Sequence, residues 1–79
     1  MPTVFEFKGY RFYFYSNEND EPVHIHIEKA EGSAKFWLIP NVKEAYSYGF
    51  KPKEQKEIDT LVKKRSKEII DAWNEYFKK

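Results

Sequence analysis

The sequence predicts an α+β domain, a four-stranded antiparallel meander with a C-terminal helix packed on one face. Three observations carry that prediction. The first forty residues hold aromatic and β-branched runs divided by short turns. After Lys51 the apolar period changes from that of a strand to that of a helix. At 79 residues, with no low-complexity linker and no internal repeat, the chain has room for one small core and no second domain. The single domain 1–79 divides into a sheet over 1–40, a connector over 41–50 and a helical segment over 51–79.

Val4-Phe5-Glu6-Phe7 and Tyr10-Arg11-Phe12-Tyr13-Phe14-Tyr15 flank the turn Lys8-Gly9 and form a hairpin. Ser16 to Pro22 is polar and rich in turn formers, a solvated loop. Val23-His24-Ile25-His26-Ile27-Glu28 alternates apolar and polar residues and gives a third strand; Ala30-Glu31-Gly32-Ser33 turns the chain again. Ala34-Lys35-Phe36-Trp37-Leu38-Ile39 is the fourth strand, stopped by Pro40-Asn41. Val42 to Phe50 fits a short helix or an irregular strand. Pro52 suits a first helical turn, and Glu54 and Glu57 near the helix start suit the macrodipole. Ile58, Leu61, Val62, Ile69, Ala72, Trp73 and Tyr76 then make an amphipathic stripe, interrupted at Arg65 and Ser66 so that one long helix or two shorter ones satisfy it. Trp73, Tyr76 and Phe77 are expected in the core.

The composition narrows the function classes. There is no cysteine, so neither disulfides nor thiolate metal sites contribute. Aromatic residues make up 19% of the chain, an unusually large apolar payload for its size. No segment has the length of a transmembrane helix and the N-terminus lacks the regions of a signal peptide, so a soluble cytoplasmic protein away from membranes is expected. Residues 1–50 carry five Lys/Arg against seven Asp/Glu, and residues 51–79 carry nine against six. That weakly basic C-terminal part falls short of a nucleic-acid footprint by itself. The run Lys63-Lys64-Arg65-Ser66-Lys67 reads as a solvated helix face.

Both histidines of the chain lie in His24-Ile25-His26. On a strand their imidazoles project from one face roughly 7 Å apart, opposite Val23, Ile25 and Ile27. One sheet face collects Phe5, Phe7, Tyr10, Phe12, Phe14, Val23, Ile25, Ile27, Phe36 and Leu38, and the helix stripe covers it. The other face carries Arg11, Tyr13, Tyr15, His24, His26, Glu28, Lys35 and Trp37. Candidate functional residues therefore lie there. His24 and His26 are the acid/base candidates, Arg11 and Lys35 the phosphate-contacting cations, and Tyr13, Tyr15 and Trp37 the base-stacking surfaces of an RNA platform. An antiparallel sheet also commonly shows water a polar, aromatic-bearing face with no such role. A metal reading would need a third ligand from Glu28, Asp20 or Glu21, and no second His or Cys cluster exists; no metal site and no cofactor are assigned.

Met1-Pro2-Thr3-Val4, the run Gly9 to Glu18, the histidine strand, Ala34-Lys35-Phe36-Trp37-Leu38 and Trp73-Asn74-Glu75-Tyr76-Phe77 together resemble a family of small bacterial proteins. It is known as domain-of-unknown-function family 4160. Members usually show Pro-His-(Ile/Val)-His-Val, where this chain has Val23 for the proline and Ile27 for the final valine; neither change touches a polar group. The resemblance implies a co-encoded small antitoxin-like partner and, by analogy with toxin–antitoxin pairs, a toxin-like role for this chain acting on RNA through the open face; if it is an enzyme, the histidine pair would make it a metal-independent ribonuclease. The alternatives are a non-catalytic module whose sheet face or edge binds that small partner, and a metal-binding protein using the histidine pair. Homo-oligomerisation is left open.

Overall fold

A computed structural model describes residues 3–15 and 21–77. Its sheet has five strands rather than four. The meander runs in simple order through β1 (Thr3–Phe7), β2 (Tyr10–Tyr13), β3 (His24–Lys29), β4 (Gly32–Trp37) and β5 (Lys43–Tyr48), every neighbouring pair antiparallel. The extra strand occupies most of the expected connector. β2 also ends two residues short of the run expected to reach Tyr15. The polar loop expected from Ser16 lies largely outside the described residues.

Local chemistry places the turns. Lys8 and Gly9 both take positive φ, 50° and 86°, the two-residue geometry that matches the right-handed twist of a tight hairpin. Gly32 opens β4 opposite Lys29 and leaves room for a ring: a Cβ there would lie 2.5 Å from Phe50 Cε1. Phe50 thereby packs down beside Tyr10, its ring 6.2 Å away.

Two helices follow, α1 (Pro52–Lys64) and α2 (Ser66–Tyr76). Pro52 stands at the start of α1, where its missing N–H costs nothing. The Lys51 amide donates to Glu54 Oε1 at 2.9 Å, and that bond holds the Glu54 carboxyl below its ordinary range. The helix breaks at Arg65, where an arginine takes the apolar stripe's next position. Its guanidinium lies 4.5 Å from the Phe5 ring centre, so the stripe continues in π contact and not in burial.

The core follows the expected faces, with Phe5 and Phe7 only partly buried against it. Tyr10, Phe12, Phe14, Val23, Ile25, Ile27, Ala34, Phe36 and Leu38 from the sheet side meet Ile58, Leu61, Val62, Ile69 and Trp73 from the helices. Tyr76 departs from expectation: it is nearly half exposed, while Trp73 is buried and Phe77 partly so. No helix among the described residues is long and apolar enough to cross a membrane.

Candidate functional site

Strand register builds the second sheet face as rows. One row crosses all five strands as Thr3, Tyr13, His26, Lys35 and Tyr46. The next runs Glu6, Arg11, Glu28, Ser33 and Tyr48. A third joins His24, Trp37 and Lys43. Alternation along the strands thus gathers the candidate residues of β2, β3 and β4 on the face opposite the core, as their sequence positions require. Tyr15, past the end of β2, joins them through its ring.

Their environment differs from an open platform. His24 is fully buried and His26 is only 5% exposed. Their ring centres lie 5.1 Å apart and meet edge to face. His24 is wedged against Trp37 at 5.4 Å and Trp73 of α2 at 4.9 Å. Its Nδ1 donates to the Pro22 carbonyl at 2.9 Å, which sets the tautomer and the ring plane. His26 stacks on Tyr13 at 5.5 Å and takes the edge of Tyr15 at 4.7 Å.

The tyrosines belong to the same cluster. The Tyr13 and Tyr15 hydroxyls are 3.4 Å apart. Burial, and then the Tyr15 hydroxyl, push the Tyr13 phenol well above its ordinary value, so it stays neutral. One side of Tyr13 faces His26, and the Arg11 guanidinium sits 4.5 Å from its ring centre. A ring so flanked offers little face to an incoming base.

Both candidate cations are already engaged. Arg11 donates to Glu28 Oε1 at 2.6 Å and to Thr3 Oγ1 at 3.0 Å. Lys35 pairs with Glu21 at 3.2 Å and lies 4.3 Å from the Trp37 ring centre. Glu28, considered as a third metal ligand, is the partner of Arg11, and Asp20 falls outside the described residues. Among the described residues no group of three metal-ligating side chains converges.

Two residues escaped the sequence reasoning. Tyr46 and Tyr48 of β5 continue the face to the sheet's edge, ring centres 6.0 Å apart and near parallel. They are 41% and 63% exposed, against the buried histidines two strands away. The alternation Tyr46-Ser47-Tyr48 was the available signal. The inward side of that strand is tied to α1, since Ser47 Oγ donates to Gln55 Oε1 and Gln55 Nε2 donates to Glu44 at 2.8 Å.

The architecture defines a class, a small meander-and-helices domain with an imidazole–aromatic cluster set into the sheet face opposite its core. Residues 9–74 match the sequence model of the family described as a domain of unknown function, DUF4160, and the chain belongs to that family. The match runs from the first hairpin turn into α2 and takes in the whole cluster. No curated protein and no solved structure matches the chain.

Proposed function

We propose that this chain is a non-catalytic interaction module that docks a small partner protein along the edge of β5. The observation that carries this reading is the exposure of β5 along its length, with Tyr46 and Tyr48 beside an edge that no other strand covers among the described residues. An edge strand presents unpaired N–H and C=O groups ready to pair with an added strand, and flanking aromatic rings supply specificity and buried area. The other edge, β1, places Thr3 and Glu6 at the equivalent face positions and has no such anchors. The family resemblance, in which members are encoded beside a second small protein, supports a protein as the occupant.

The burial of the histidines speaks against phosphodiester chemistry. A general acid or base must lie within hydrogen-bond reach of the reacting atom, and His24 has no exposed surface. Arg11 and Lys35 would have to leave Glu28 and Glu21 before meeting a phosphate.

Co-purification with the neighbouring small protein tests the proposal. The wild-type chain should form a stoichiometric complex, and the pair Tyr46→Lys and Tyr48→Lys should abolish it while leaving the melting transition unchanged. RNA cleavage by the wild type, lost in folded His24 or His26 variants, would replace this reading with the ribonuclease one.

A further inference from the structure

A second surface, on the helix side of the sheet, carries its own chemistry and does not rest on the β5 reading. A cavity of about 360 Å³ opens between the first hairpin turn and α1. Its floor is apolar, made by Phe7 and Leu61. Its rim is cationic: Lys53, Lys56 and Lys64 stand along one side of α1, and Lys8 closes the cavity from the turn. The helical repeat sets this up, because positions 53, 56, 60 and 64 fall along one stripe of α1.

The charge is unbalanced. Among the described residues Glu57 is the only acid lining the cavity, and it pairs with Lys8 at 3.2 Å. Among the described residues none of Lys53, Lys56 and Lys64 has a carboxylate within ion-pair distance, and all three are exposed. An apolar floor under uncompensated lysines fits a ligand that is itself apolar at its centre and anionic around it.

We propose that this cavity binds an acidic peptide segment of a partner protein, with one aliphatic side chain seated on Phe7 and Leu61 and flanking carboxylates against the lysines. A nucleic acid is disfavoured by the floor. Phe7 is the one ring lining the cavity among the described residues, and Leu61 beside it is aliphatic, so the floor seats a single aliphatic side chain but lacks the run of aromatic faces on which successive bases stack. Lysine ammonium groups meet single carboxylates as point charges and need no planar fork.

The test uses a fluorescently labelled short peptide of glutamates around one central leucine, titrated with the full chain and read by anisotropy. Binding should weaken by about tenfold or more when serine replaces the leucine, the expected cost of losing one buried aliphatic side chain. The pair Lys56→Glu and Lys64→Glu should weaken it at least as much, with an unchanged melting transition because both side chains are exposed. Lys63→Glu with Lys67→Glu, charges at the end of α1 and the start of α2 but outside the cavity, should cost far less. Equal binding of the serine peptide, an equal loss from the Lys63 and Lys67 pair, or the absence of binding would overturn the proposal. So would a single-stranded RNA oligonucleotide or an anionic lipid vesicle that binds through Lys56 and Lys64 more tightly than the peptide.

Discussion

Replacing His24 with alanine separates a structural imidazole from a catalytic one. The ring has no exposed surface and lies against Trp37, Trp73 and His26. Truncating a large buried side chain to alanine costs about 2–5 kcal/mol, and an imidazole, smaller than a phenyl ring, belongs toward the low end. The hydrogen bond to the Pro22 carbonyl adds at most about 1 kcal/mol, because Pro22 is exposed and its oxygen regains water. The expected loss is about 3 kcal/mol, from a domain whose length suggests about 4–12 kcal/mol in all. In a thermal melt followed by circular dichroism that is a fall in Tm of about 12–24 °C. A surface histidine with a purely chemical role would change stability by less than about 0.5 kcal/mol. A His24→Ala variant melting with the wild type would therefore refute the burial argument.

Other consequences are equally direct. Gly32→Ala places a methyl group where the Phe50 ring now stands, and should cost about 1–3 kcal/mol by overpacking, read as a lower urea midpoint; an unchanged midpoint would mean that Phe50 moves freely. Arg11→Ala removes a partly buried ion pair with Glu28 and the contact over Tyr13, and should cost about 1–2 kcal/mol in the same assay. Tyr10 titrates near 12 and not 10, first because it is buried and then because the Glu57 carboxylate lies close by, outside hydrogen-bond geometry. The fold thus favours the neutral phenol: that stability is complete below pH 10 and is lost as pH rises toward about 12. Tyr10→Phe should flatten this alkaline descent in pH-dependent denaturation, and an unaltered slope would show that Tyr10 does not control it.

Much of the architecture was legible in the sequence because alternation is a local property. The apolar sets of β2, β3 and β4 face the helices as their spacing requires, and the break at Arg65 falls where the apolar stripe is interrupted. β5 was harder to read. Lys43, Glu44 and Ala45 are weak strand formers, and the register shift opposite Lys35 and Phe36 makes Ala45 an extra residue that breaks the period. Alternation also says which face a side chain takes, but not what covers it. The ring that closes on His24 comes from Trp73, far along the chain, and helical spacing assigned Trp73 to the core without naming its neighbour. The pairing of Arg11 with Glu28 is a cross-strand contact, visible only once the β2–β3 register is known.

Hydrogen exchange of the chain with and without the proposed small partner tests the docking proposal most directly. Binding along the sheet edge should protect amides within Lys43–Tyr48, which now face solvent on their outer side, and leave the exchange of His24–Lys29 unchanged. Protection confined to β1, or newly appearing around the two histidines while β5 stays unchanged, would contradict it.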